Sequence, residues 1–304
     1  MEQLNIVFCV SNNYIPFIQV TILSIIKNNL NYKINIHIIF DNISKKNKLI
    51  LLENFNCFNN INFYFYKIDD SRLRGLKNSN WTKYAWYRIL IPDIISKKIN
   101  KILYLDADTL VVEDLSTIYN IPLENHSIAG VLDGETFNTE TFNRLKFTYN
   151  QRYICSGIML INLYFWRKNN ITEKIIKWAK KNNSILKFPD QDSINYICRD
   201  SKFILPLKYG ILNYFITKDE FSKFFPLQVK ECLNNPIIIH YGDCYPWYKD
   251  YKKHYYHNLW LHYNNNLHRP VKLLYKNNIF KRIICIFYNK IQFFKTMIDG
   301  KKDK

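Results

Sequence analysis

The sequence predicts an α/β fold, a mostly parallel sheet with helices on both faces. Short apolar runs of strand length alternate with helix-length stretches in the N-terminal part, the order that builds parallel strand–helix–strand units. Two of those runs end abruptly in polar residues, Ser11-Asn12-Asn13-Tyr14 and Asp106-Ala107-Asp108-Thr109. In a parallel sheet both groups fall on one rim, outside the carboxyl ends of the strands, where nucleotides bind. With 304 residues, 48% of them apolar, the chain can bury a large core.

Asn5 to Val10 reads as a buried first strand. Pro16 then opens a helix to about Asn29, with Val20, Leu23 and Ile26 on one face. Ile34 to Phe40 is a second strand, Ser44 caps a helix reaching Phe55, and Ile61 to Tyr66 is a third strand. The polar stretch Asp69 to Asn80 is a loop, and Thr82 to Ile91 a helix with Arg88 among aromatics. Ile128 to Leu132 and Cys155 to Asn162 are further buried strands, separated by an irregular polar segment, 134–153. Leu163 to Lys181 is helical, Pro189 opens another helix through Ile197, and Pro236 to His240 is a last strand.

The stretch with the most chemistry is Lys101 to Val112, an apolar strand ending in Asp106 and Asp108. Side chains two apart on a strand share a face. Two carboxylates so placed offer hard oxygen ligands to one Mg²⁺ or Mn²⁺. A cation of that kind neutralises a departing diphosphate. The alternative, a solvated Asp-x-Asp turn, is disfavoured by apolar flanks on both sides. His240 ends its own strand on the same rim and is a natural third ligand.

The formal net charge is +18, which asks for an anionic partner. From Val271 to Lys304 there are nine Lys/Arg against two Asp. Ile279, Phe280, Ile283, Ile284, Phe287, Ile291 and Phe294 recur there at helical spacing, the pattern of an interfacial anchor on an anionic membrane. A nucleic-acid partner is not expected, because the charge is concentrated in this amphipathic tail and no nucleic-acid-binding motif is visible. Seven scattered cysteines, an odd count without zinc spacing, favour reduced thiols. The expected location is cytoplasmic, peripheral at the inner face of the cell membrane.

Taken together, NIVFCVSNNY, YAWYRILIPDII, KILYLDADTLV, SGIMLINLYFWR, DQDSIN and HYGDCYPW, in that order from Asn5 to Trp247, resemble glycosyltransferase family 8. The similarity is greatest to the bacterial lipopolysaccharide and lipooligosaccharide α-glycosyltransferases. The resemblance implies a GT-A fold over residues 1–265 and a membrane-associating segment over 266–304. It implies transfer of a hexose, galactose or glucose, from a UDP-sugar to a glycan or glycolipid acceptor with retention of configuration, and Mn²⁺ (or Mg²⁺) as cofactor. Carried over by position, Asp106, Asp108 and His240 are its metal ligands, and Asp190 and Gln191 its catalytic pair near the donor sugar. Cys9, Ser11, Asn13, Arg88, Asp106, Ala107, Cys155, Ser156, Gly242 and Tyr245 form the donor side. Three positions depart from the family pattern. Ser11 stands for an aspartate, Cys155 for an asparagine and Tyr245 for a lysine. These departures motivate a second reading, a transferase-like protein that binds glycan or nucleotide without catalysis.

Overall fold

The computed structural model describes residues 2–78, 82–148, 150–218, 222–250 and 253–276. Its centre is a seven-stranded sheet in the order β3-β2-β1-β4-β7-β6-β8. The strands are β1 (Gln3–Cys9), β2 (Lys33–Phe40), β3 (Ile61–Lys67), β4 (Lys101–Leu105), β6 (Ile128–Leu132), β7 (Ile154–Asn162) and β8 (Lys202–Leu205). β7 runs antiparallel to both of its neighbours, β4 and β6, and the other pairings are parallel. The expected mostly parallel sheet is therefore observed.

Strand alternation divides the apolar residues between two cores. Leu4, Ile6 and Phe8 of β1 join Leu103 and Leu105 of β4 in one. Val7 and Cys9 join Ile102 and Tyr104 in the other. Helix Ile15–Asn28 covers the first face, and helix Ile171–Lys181 with Trp86 and Trp166 covers the second. Ile and Leu fill the strands because branched side chains pack well on both faces of a pleated, fully buried sheet.

A second sheet of three strands, β5 (Thr109–Val111), β10 (Ile238–His240) and β9 (Ile211–Leu212), has β10 at its centre. β4 and β5 are separated only by residues 106–108. The aspartates thus lie not along one continuous strand but in the turn where the chain passes from one sheet to the other. Thr21, on helix Ile15–Asn28, donates its hydroxyl to Thr109 O at 2.6 Å and so ties this turn to the helix.

Other local expectations are corrected. The stretch Thr82 to Ile91 forms a 3₁₀ helix, Lys83–Leu90, followed by a short α-helix, Ile91–Ile94. Pro92 occupies the first turn of that second helix, and a proline inside one continuous α-helix would remove a hydrogen bond and clash. Leu163 to Lys181 is two helices, broken at Asn170, whose φ is 51°. Segment 134–153 is not irregular throughout: it contains a 3₁₀ turn, Gly134–Phe137, and a helix, Thr139–Leu145. Asp133 and Asn138 cap the two, accepting from the backbone N–H of Glu135 and Glu140.

After helix His257–Asn265 the chain packs back on the domain. Leu267 and Val271 are buried, and Leu274 pairs with Trp247 and Lys249 through backbone hydrogen bonds. The amphipathic stretch Ile279 to Phe294 lies outside the described residues. Among the described residues, no helix is long and apolar enough to cross a membrane. Thr21→Val should cost about 1–3 kcal/mol, since it leaves the buried Thr109 carbonyl short of a donor; chemical denaturation of the two proteins measures the difference.

Candidate active site

The turn 106–108 is held from three sides. Asp106 N–H donates to Gly157 O of β7 at 2.8 Å, and Tyr241 N–H donates to Asp108 O at 2.9 Å. Thr109 donates its hydroxyl to Asp106 O at 2.8 Å. Because β10 is antiparallel to β5 with His240 opposite Thr109, the imidazole is delivered beside the two carboxylates. His240 Nε2 lies 3.4 Å from Asp108 Oδ1 and 4.0 Å from Asp106 Oδ2. The ligand atoms of all three lie within 4.8 Å of one another.

Backbone supplies the room for this cluster. A Cβ on Gly157 would stand 2.3 Å from His240 Cε1 and 2.7 Å from Asp106 Oδ2, so any other residue there would collide with two of the three candidate ligands. Two carboxylate oxygens and an imidazole nitrogen suit Mn²⁺ or Mg²⁺, with positions left for phosphate oxygens. The residues present fit such an ion.

Arg88 organises the other side of Asp106. It is 6% exposed. Its Nη2 donates to Asp106 Oδ1 at 3.1 Å, and its Nη1 donates to Ser156 O at 2.6 Å and Oγ at 2.7 Å. Its Nε donates to Ala85 O at 2.9 Å and lies 3.3 Å from Asp190 Oδ2. The guanidinium also stacks over the Tyr104 ring, 4.6 Å from its centroid. Burial by itself would disfavour the charge on Arg88, but Asp106, Tyr104 and Asp190 outweigh that and hold it firmly protonated. Tyr104 donates its hydroxyl to Asp106 Oδ1. With Oδ1 so occupied, Oδ2 is the oxygen turned toward His240.

The carboxyls have shifted affinities for protons. Burial pushes Asp106 up, with Arg88 pulling down and Asp108 adding to the rise. Asp190 is pushed up to about 6 by burial, against Arg88 and with Asp106. Burial opposes a charged His240, yet Cys155 and Asp108 beside the ring more than compensate, so its pKa lies well above the usual value.

Of the remaining expected residues, Gln191, Ser156, Cys9, Ala107 and Cys155 lie in or beside this centre. Gln191 Oε1 accepts from Ser156 N–H at 2.8 Å, and Ser156 Oγ lies 3.3 Å from Asp190 Oδ2. Cys9 ends β1 with a buried thiol whose pKa burial raises, in the field of Arg88 and Asp106. Ala107 is buried in the turn. Cys155 Sγ is 3.5 Å from His240 Nδ1. Gly242 follows β10 with φ 58°, a left-handed turn that glycine adopts without strain. Ser11 and Asn13 lie on the turn after β1, where Asn13 is exposed and Asn12 is anchored to Ser44 and Asn47. Tyr245 stacks on Trp247 at 5.4 Å, and the Lys276 ammonium lies 5.6 Å from its ring centroid.

Three residues of this site escaped the sequence reading. Tyr104 looked like one more buried strand residue, and Gly157 one more glycine. Asp133 ends β6 as Asp106 ends β4, and that shared pattern was the available signal. Burial pushes Asp133 up to about 6, and His240 and the Gln191 side chain face it. Arg88→Met should destabilise the fold by about 3–5 kcal/mol, because Asp106 and Asp190 would lose their buried counter-charge. Arg88→Lys should recover only part of this, since one ammonium cannot reproduce the fork. Urea unfolding of the three proteins checks both.

The family model "Glycosyl transferase family 8" matches residues 5–250. General stress protein A of Bacillus subtilis is 30% identical over 270 residues, covering 86% of this chain and 93% of that protein. An Escherichia coli lipopolysaccharide 1,2-glucosyltransferase is 30% identical over 253 residues, covering 81% of this chain and 74% of its own. Among solved structures, the galactosyltransferase LgtC in complex with donor and acceptor sugar analogues superposes with a TM-score of 0.76 at 20% identity, covering 88% of this chain and 98% of that one. That last likeness is one of fold, the GT-A arrangement. A family model spanning most of the chain settles its membership: the protein is a glycosyltransferase of family 8.

Proposed function

We propose that the protein is a metal-dependent, retaining hexosyltransferase, moving galactose or glucose from a UDP-sugar to a glycan or glycolipid acceptor of the lipopolysaccharide or lipooligosaccharide type. The observation that carries this reading is the convergence of Asp106, Asp108 and His240 around the space that Gly157 leaves open. That one relative is a lipopolysaccharide 1,2-glucosyltransferase, and that LgtC is a galactosyltransferase, supports a hexose donor and a glycan acceptor.

Asp106 Oδ2, Asp108 and His240 Nε2 would hold Mn²⁺, or Mg²⁺. The ion would supply positive charge to the departing diphosphate. Arg88 and Tyr104 keep Asp106 in register by engaging its Oδ1. Gly242 lets the backbone after β10 approach the phosphates closely. Asp190 and Gln191, at the start of helix Pro189–Ile197, orient the donor sugar; Ser156 fixes the Gln191 amide. Ser11, Asn13 and the β1 end with Cys9 lie on the nucleoside side, and Tyr245 on the diphosphate side. The acceptor hydroxyl attacks the anomeric carbon on the face from which the diphosphate leaves. The hydroxyl proton passes to the departing phosphate oxygen as the C–O bond to phosphate breaks. No strong base is then required of the protein, and stabilising the leaving group is the main task.

The basic amphipathic stretch within 277–304 would hold the enzyme at the anionic inner face of the cell membrane, where such an acceptor is found. Because residues 271–274 pack on the domain, a truncation after Lys276 tests the tail without exposing the core. The shortened protein should no longer sediment with anionic vesicles at low salt; undiminished sedimentation would refute the anchor.

The central test is calorimetric titration of UDP with Mn²⁺ and again with EDTA. Binding should require the metal. Asp108→Ala should abolish it with the circular dichroism spectrum unchanged, and Gly157→Ala should weaken it by about tenfold or more through the collision with His240 and Asp106. Metal-independent UDP binding of wild-type strength in Asp108→Ala would overturn the metal assignment.

A further inference from the structure

Cys155 occupies the second position of β7, 5% exposed, at the heart of the site. Its sulfur does not stand open toward a substrate. It lies 3.5 Å from Nδ1 of His240, itself 5% exposed. Among the described residues, this sulfur is the hydrogen-bond partner of that nitrogen. The imidazole is therefore gripped at three points. Nδ1 meets Cys155, Cε1 lies against the bare backbone of Gly157, and Nε2 faces Asp106 and Asp108.

The ring's two nitrogens have complementary jobs. To donate a lone pair to a cation from Nε2, a neutral imidazole must carry its hydrogen on Nδ1. An Nδ1–H needs an acceptor, and groups in that position orient the ring and set its strength as a ligand. Thioether and thiol sulfurs accept weakly compared with oxygen. Cys155 and Gly157 belong to the same strand, two residues apart, and both face the imidazole, the first with its sulfur at Nδ1 and the second with the empty Cβ position at Cε1. One edge of one strand thus supplies both the acceptor for the ring and the gap in which it sits.

We propose that Cys155 is a positioning residue for His240: its sulfur accepts the Nδ1–H, fixes the tautomer that turns the Nε2 lone pair toward Asp106 and Asp108, and thereby sets the affinity for the divalent ion. This inference rests on the reading of Asp106, Asp108 and His240 as metal ligands. It gives Cys155 a role toward the histidine instead of the donor sugar, as a hydroxyl or amide at that position would otherwise have.

The test compares Cys155→Ala with Cys155→Ser, two small substitutions that differ in one acceptor atom. Mn²⁺ affinity of the full chain is measured from the free-ion electron paramagnetic resonance signal, without any sugar donor, alongside thermal unfolding. Cys155→Ala should bind Mn²⁺ about 10–100-fold more weakly than wild type at similar melting temperature, and Cys155→Ser should recover most of that loss. If Cys155→Ala binds Mn²⁺ as tightly as wild type, or if serine fails to recover affinity while both variants remain folded, the positioning role is wrong. If the wild-type chain itself shows no Mn²⁺ binding, the metal assignment falls and this inference with it, a result that the two variants cannot produce.

Discussion

The site depends on one buried cation. Arg88 is placed by the 3₁₀ helix Lys83–Leu90, and its guanidinium meets Asp106, Asp190, the Ser156 backbone and hydroxyl, and the Ala85 carbonyl. A charge so enclosed is tolerable only because its donors are matched by acceptors of opposite or partial negative charge. The same matching makes the carboxylates tolerable. Asp106 and Asp190 are each pushed toward the protonated form by burial and pulled back by Arg88. Remove the cation and neither acid has reason to stay ionised where it is. Planar fork geometry matters as much as charge, since one residue must address three elements, the end of β4, the start of β7 and the helix Pro189–Ile197.

Around that fixed point the fold solves a positioning problem with its two sheets. β4 belongs to the large sheet and β5 to the small one, so the Asp106–Asp108 turn is where they are joined. β10 pairs with β5 and ends at His240. The third member of the cluster is thereby tied to the first two by ladder hydrogen bonds instead of by a loop. Rigid elements hold side-chain constellations more accurately than mobile connections do. The one flexible choice left is the orientation of the imidazole about its own bonds, and there Gly157 and Cys155 constrain it.

Much of this was legible in the sequence because it is written in periodicity. β1, β2, β4, β6 and β7 are runs of branched and aromatic residues that suit a sheet buried on both faces, and the edge strand β3 is an aromatic-rich run that is only partly buried. The two acidic and polar strand ends pointed at one rim, and the rim is where the cluster formed. What stayed hidden depends on distances no pattern encodes. Residue spacing placed Asp106 and Asp108 on one strand face, whereas the structure brings them together in a turn. Tyr104 reads as core until its hydroxyl is seen to reach Asp106. Short strands such as β8 and β9 carry too few residues for a period to declare itself. They are fixed by what they pack against.

The positions that depart from the family pattern show the same logic. Cys155 and Tyr245, where the family resemblance leads one to expect an asparagine and a lysine, are each engaged locally in the structure. Cys155 faces His240, while Tyr245 stacks on Trp247 beneath the Lys276 ammonium. Trp247 in turn stacks on Phe17 and meets Tyr14 edge-on, and Tyr14 lies in the field of Asp108. An aromatic cluster therefore links the loop after β10 to the first helix beside the aspartate turn. Aromatic faces attract cations, so Tyr245 keeps a lysine near the place where its own side chain brings no charge. Substitution at a site of this kind need not abolish its chemistry, provided that the geometry of the surrounding groups still delivers charge and hydrogen bonds to the same atoms.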